Sequence, residues 1–331
     1  MRYHRALLIA VVTAAAPAWC SAASLPGRHV AVGQRPVSFT PSAHSWMSPQ
    51  AKAAHRLLYV ANGSTGIVDV FSVAKKGTTL VGQISGFQSP QGMAVDAAGT
   101  LYVVNDYIPQ EGPVGGEVDV FPMGATSPSL IVNPNPWAPF DVGVDKKGNI
   151  YIANIERIGE FSPGSVTVYD KAGNGPIRTL KGSDLAEIYG IAVDPHTSDV
   201  YVSYTPSLSG NGRIAMFRGG KGSATDLGVS YGTPWGLIQD GNGNLLANDG
   251  NGPIHIYPQA GGPQIGSINV PGAPLFAALN TDRSLLYVSN FNNFDVEVFD
   301  YSSGTMVGSV KDNQWSKNAW PTGVAYWPRA T

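Results

Sequence analysis

The sequence has almost no cysteine: one in 331 residues, Cys20. A disulfide within the chain is therefore excluded, and so is a metal centre built on several thiolates. Charge is scarce as well. Asp, Glu, Lys and Arg make up 13% of the residues, against about 25% in an ordinary chain, and the formal net charge is −2. No basic run occurs, so the electrostatic footprint of a nucleic-acid binder is missing. Only residues 6–18 form a long apolar stretch, and it falls short of the roughly 20 residues that cross a bilayer. Long helices are excluded by 40 Gly and 25 Pro, which break any helical period every few positions. These residues stand between regular apolar segments and not in low-complexity tracts, which argues against a disordered chain.

What is present begins with Arg2, His4 and Arg5, then the apolar residues 6–18, then the small-residue tail Cys20-Ser21-Ala22-Ala23. That order is expected of a secretory signal peptide over residues 1–23, cleaved after Ala23 or one residue earlier. Lipid attachment at Cys20 would need a small residue where Trp19 stands. Cleavage removes Arg2 and Arg5. It leaves 19 basic against 23 acidic residues, a net charge of −4, and no cysteine. The expectation is an exported chain, periplasmic or secreted, that depends on a large core in place of disulfides.

Three signatures then recur in fixed order. A β-rich segment ends in Asn at Tyr59-Val60-Ala61-Asn62 and at Tyr102-Val103-Val104-Asn105. It returns with its first residue at 151, 201, 245 and 287, the copy at 201 ending in Tyr204 in place of Asn. A V-x-V-aromatic strand follows each time, from Val68-Asp69-Val70-Phe71 to Val296-Glu297-Val298-Phe299. A strand led by Pro or Gly comes third, from Pro90-Gln91-Gly92-Met93-Ala94-Val95-Asp96 to residues 321–327. Weaker strands are expected between the second and third signatures, at 80–84, 130–132, 177–180, 227–229, 265–268 and 306–310. A repeat of about 40–50 residues made only of strand and turn signals is the mark of a β-propeller blade. The expected fold is all-β, a six-bladed β-propeller of four-stranded antiparallel blades over residues 57–331. The order of signatures places the last strand, 322–326, innermost in the blade of residues 57–84, so that the C-terminal strand closes the ring and removes its open edges. Residues 24–56 form an N-terminal extension, read as an arm outside the ring with a short helix at 48–55, and its removal up to residue 45 is expected to matter little.

The set Pro-x-Gly-φ-Ala-Val-Asp, Gly-x-Leu-Tyr-Val-x-Asn and Val-x-Val-Phe/Tyr resembles the NHL-repeat propellers and their SMP-30/gluconolactonase-like relatives. The resemblance covers residues 57–327. It implies the fold; one fold hosts many activities, so it implies no single chemistry. The lactonase-like relatives hold a divalent metal at the channel mouth with a Glu, Asn residues and an Asp that also acts as base. The matching positions here offer Asn105, Asn154, Asp141 and Asp249, while Gln91, Phe140, Tyr189, Trp235 and Leu275 stand where the Glu is expected.

The loops leading into the innermost strands carry Trp137, Phe140, Tyr189, Trp235 and Trp320, and the loops after the Asn strands carry Asn105 and Asn154. Aromatic planes beside amides suit polar, non-ionic ligands. The alternative is that the aromatics wedge between blades and the amides bond to loop backbone. No mature His is placed as a channel base: His29, His44 and His55 precede the ring, His196 lies in a turn on the other face, and His255 is on a third strand. The expected function is a monomeric, non-enzymatic binding or interaction module that needs no cofactor. Its ligand, a small polar molecule, a glycan or a protein, meets Trp137, Phe140, Tyr189, Trp235, Trp320, Asn105 and Asn154. Nucleic acid is not expected as a partner. The alternative is a calcium-dependent hydrolase using Asp141, Asp249, Asn105 and Asn154. The longer loops 106–116 and 155–164 break the repeat and are read as a rim at the channel mouth.

Overall fold

The computed structural model describes residues 39–40, 42–75, 77–107, 115–132, 137–157, 163–206, 210–311, 315 and 320–328. The expected signal peptide, residues 24–38 and the middles of the two long loops lie outside the described residues.

Six sheets follow one another along the chain. In blade 1, β2 (Leu57–Asn62), β3 (Ile67–Ala74) and β4 (Gly77–Ser85) run outward. Blade 2 is β5 (Ser89–Val95), β6 (Leu101–Tyr107), β7 (Gly115–Phe121) and β8 (Leu130–Val132). Blade 3 is β9 (Trp137–Val144), β10 (Ile150–Arg157), β11 (Ser165–Tyr169) and β12 (Arg178–Lys181). Blade 4 is β13 (Glu187–Val193), β14 (Val200–Thr205), β15 (Arg213–Phe217) and β16 (Thr225–Asp226). Blade 5 is β17 (Pro234–Gln239), β18 (Asn244–Asp249), β19 (Ile254–Pro258) and β20 (Gly266–Ile268). Blade 6 is β21 (Pro274–Leu279), β22 (Leu285–Asn290), β23 (Asp295–Asp300) and β24 (Thr305–Val310). The last strand, β25 (Pro321–Trp327), returns to blade 1 and pairs with β2, matching Leu58 to Tyr326 and Val60 to Val324. Each innermost strand packs against the next around the ring. The six-bladed, all-β fold read from the repeat is the one observed.

The V-x-V strands explain why the blades stack. Alternate residues of a strand face opposite sides, and both faces of a blade are covered by neighbours. Val68 and Val70 pack toward blade 2, Val118 and Val120 toward blade 3, and Val296 and Val298 toward blade 1. The core is thus six interblade layers around a separate aromatic cluster of innermost-strand residues. At the end of the innermost strand the repeated Asp ties its own hairpin. Asp96 accepts from the Ala98 and Thr100 N–H groups at 2.9 and 2.8 Å, and Asp145 accepts from Lys147 and Asn149 at 2.8 and 2.9 Å. Gly99 and Gly148 take φ of 85° and 82°, which glycine adopts without strain.

Two features differ from the expectation. Blade 4 ends at Thr225–Asp226 and not at 227–229, because Asp226 is anchored by Arg213 at 2.9 Å and by the Tyr204 hydroxyl at 3.0 Å. Gly228, at φ 70°, then turns the chain. The described part of the N-terminal extension is also no loose arm. β1 (Trp46–Met47) adds a fifth strand to the outer edge of blade 1 by pairing with Gln83 and Gly82, and helix α1 (Pro49–Ala53) buries Ala51 completely. Phe39 is buried between Phe87 and Phe121, with ring centroids 4.9 and 5.5 Å away. The strand and apolar packing hold this segment where sequence periodicity is too short to read. No helix among the described residues is long and apolar enough to cross a membrane.

Candidate functional site

The upper face of the ring carries the loops that lead into the innermost strands. Successive innermost strands approach so closely there that the glycine at the third position of the signature, Pro-x-Gly in three blades and Ile-x-Gly in blade 4, is required. A Cβ on Gly190 would lie 2.6 Å from the Leu237 nitrogen and the Trp235 oxygen. Gly236 makes room for the Phe276 ring, which a Cβ would meet at 2.8 Å, and Gly92 likewise makes room for Asp141. Asp141 and Phe276 stand where the other blades have glycine.

Phe140, Tyr189, Trp235 and Phe276 meet at the axis. Phe140 lies 5.6 Å from Tyr189, 5.4 Å from Trp235 and 6.0 Å from Phe276, ring to ring. All four are about 5% exposed. They are joined by Ile155 and Leu275, with Phe291 against them. The Tyr189 hydroxyl donates to Glu187 at 2.7 Å, and burial pushes the Glu187 carboxyl up against that hydrogen bond and one from Thr205. Below the aromatic seal, a cavity of about 120 Å³ is lined by the later residues of the six innermost strands, among them Ala94, Gly143, Ala192, Ala278 and Ala325. The aromatic run continues outward from Phe291 to Trp320, whose rings are 5.0 Å apart and half-buried. The Trp320 backbone N–H donates to the Ser64 hydroxyl at 3.3 Å. Asn251, Asn292 and Asn293 are exposed in loops of the same face.

The fold seen in this geometry is shared. The chain is similar to a propeller in a structure titled "Crystal structure of Nidogen/Laminin Complex", with a TM-score of 0.66 and 13% identity. The match covers 83% of this chain and 100% of that one. At that identity the likeness is one of fold. No family model and no curated protein matches the chain.

The other expected site residues are held in place locally. Asn105 accepts from the Gln88 and Ser89 N–H groups at 2.8 and 3.4 Å, so it ties the end of β6 to the loop leading into β5. The Asn154 amide, fully buried, donates to the Ile152 and Ser165 carbonyls and to the Thr167 hydroxyl at 3.1–3.2 Å. Asp141 bridges two blades: one oxygen accepts from the Val142 N–H at 2.8 Å and the other from the Ile191 N–H at 2.9 Å. Burial outweighs those two bonds and pushes its carboxyl up to about 8. Asp249 accepts from the Gly232 and Thr233 N–H groups at 2.9 Å and from His255 at 3.3 Å. These bonds hold its carboxyl below the usual range in spite of burial, and the same pairing raises His255. Trp137 begins β9; its side chain lies outside the described residues.

The donor set of the calcium reading therefore does not fit a cation. Asp141 and Asp249 are each engaged by backbone N–H groups in different blades, and Asn154 directs its amide nitrogen into the strands. A hard cation needs several converging oxygens, and no group of three His, Asp or Glu side chains forms among the described residues. Phe291, half-exposed beside Trp320, was not read from the sequence. Beside it Asn290 caps the loop, accepting from the Ala273 and Asn292 N–H groups.

Proposed function

We propose that this chain is an exported, non-enzymatic binding propeller whose partner meets the upper face along the Phe291–Trp320 ridge. The observation that carries this reading is the sealed mouth. Phe140, Tyr189, Trp235 and Phe276 cover one another, so they form the floor under a surface that continues to two half-buried rings with exposed amides around them. Such a surface stacks and hydrogen-bonds with a neutral polar partner, a glycan or a protein. Asn105 serves it by fixing the loop into β5, and Asn154 by tying β10 to β11. The nidogen/laminin structure is that of a complex, which supports the use of a propeller face for association. Export rests on residues 1–23 and is tested by N-terminal sequencing, with a start at Ser24 expected.

The binding test is thermal shift of the mature chain against a panel of neutral saccharides and peptidoglycan fragments. A bound ligand at 100 times its Kd adds about 2.7 kcal/mol. The expected result is a rise in Tm that disappears in Trp320→Ala and partly survives in Trp320→Phe. A rise with Ca²⁺ that disappears in Asp141→Ala or Asp249→Ala would replace this reading with the hydrolase one.

A further inference from the structure

The cleft between blades 1 and 2 holds two acidic side chains that the upper face does not use. On β7, Val118 and Val120 face blade 3, so Glu117 and Asp119 point the other way, toward blade 1. Asn105 lies opposite Glu117 and Val103 opposite Asp119. Glu117 is 1% exposed and Asp119 not at all. The Asn105 amide faces Asp119, yet neither oxygen of Asp119 makes a well-formed hydrogen bond. Glu117 accepts from the Phe39 backbone N–H, the first described residue of the segment that goes on to form β1 and α1. The Thr40 N–H donates to the Gly86 carbonyl at 3.2 Å, and the Phe39 ring fills the gap between Phe87 and Phe121. Residues 39–40 and 42–54 are thus a strap that begins on Glu117, next along the strand face from Asp119, and then runs along the edge of blade 1.

Two carboxylates two residues apart on one strand face cannot both ionise cheaply in an apolar cleft, and an unpaired buried charge is the costliest group a core can hold. A retained proton removes one of the charges. We propose that Glu117 and Asp119 form a proton-operated latch: the strap stays seated while the pair keeps a proton and lifts when that proton is lost. Burial, followed by the Glu117 charge, pushes the Asp119 carboxyl up to about 8, and burial raises Glu117 against the Phe39 hydrogen bond. The other charged groups on the packed elements are turned elsewhere. Asp69 of β3 is bonded to Gln83 at 2.7 Å and to the Trp315 indole at 2.7 Å, on the side toward blade 6. Asp106, next to Asn105 on β6, faces the opposite side by strand alternation. Lys52 of α1 lies along Gly124, beyond the other end of β7. The sign follows. The pair binds its proton more tightly in the seated state than in the lifted one, so seating is favoured at low pH and lost as pH rises toward 8.

Hydrogen exchange by mass spectrometry on peptides covering residues 39–54, corrected for intrinsic rates, reads the latch between pH 5 and 9. The expected result is a strap-opening ratio that rises by up to about tenfold per pH unit, while β22 in blade 6 does not follow it. In Asp119→Asn the pH dependence should vanish. A strap that opens equally at both ends of the range, or a dependence unchanged in Asp119→Asn, overturns the proposal. Should that variant fail to fold, side-chain ¹³C shifts of Asp119 in the wild-type chain decide it. A midpoint in the ordinary carboxylate range overturns the latch, and one coinciding with strap opening sustains it.

Discussion

Asn154 shows how a residue that resembles a ligand contact works as a fastener. In a fully buried position its amide donates to Ile152 of its own strand and joins β10 to β11 through Ser165 and Thr167. Asn154→Ala leaves those acceptors without their donor, and such a loss costs about 1–3 kcal/mol. Chemical denaturation should show that drop. Trp320→Ala, on the half-exposed ridge, should leave stability nearly unchanged and affect binding alone. Gly190 supplies the opposite case, a residue with no side chain whose absence of one is structural. Its missing Cβ would sit 2.6 Å from backbone atoms of the next blade. Gly190→Ala is expected to destabilise by about 1–3 kcal/mol through forced displacement of β17, checked by the same denaturation curves with an unchanged slope. The glycine was legible as the third residue of the repeated innermost-strand signature, where Ile188 replaces the usual Pro. Its reason was not, since the close approach involves a strand 45 residues further on, where Trp235 stands.

The strands were the legible level because their pattern is local. Alternating valines, a capped Asp turn and an Asn at the strand end repeat with the blade, so six inner strands and the pairing of β25 with β2 could be read directly. The strap could not be read. β1 is two residues long, and Phe39 carries no periodic signal. The buried acids escaped for a different reason. A V-x-V strand reads as half-buried, with x toward water, but in a propeller both faces of each blade meet a neighbour, so Glu117, Asp119 and Glu297 end inside. The element-scale predictions follow from these pairings. Removing residues 321–331 strips β2 of its inner partner and opens the ring, so soluble folding should be lost in expression and circular dichroism. Trimming through residue 45 removes Phe39 from its aromatic pocket. Truncating a buried Phe to Ala costs about 3–5 kcal/mol, and Phe39→Ala should lower the urea midpoint accordingly.

At the scale of the whole molecule, the ionisable groups of the core bias its stability toward mild acid. Burial raises Asp119 and Asp141 to about 8 and also raises Glu117, Glu187 and Asp295. A carboxyl whose folded pKa is raised stays protonated in the native state while the unfolded chain has lost its proton. Its stabilising share is complete below the unfolded value near 4 and is lost as pH climbs to the folded one. His255, raised by its bond to Asp249, acts in the same direction: its share is present below the unfolded histidine value and fades above it. The opposing groups are carboxylates held down by hydrogen bonds. Asp194 sits near 2 despite burial, because Gln239, Gln259 and two backbone N–H groups bind it, and Asp226 and Asp249 are lowered as well. Their contribution persists above about pH 4 and fails only as pH falls further. The two sets leave a maximum near pH 4–5 and a decline toward pH 8. Urea midpoints measured at pH 5 and pH 8 should therefore differ with pH 5 the higher, at constant m. Asp141→Asn should flatten that decline, because it removes one titrating group while keeping an acceptor for a backbone N–H. A midpoint that rises from pH 5 to pH 8 would mean that these interior carboxyls are ionised in the folded chain.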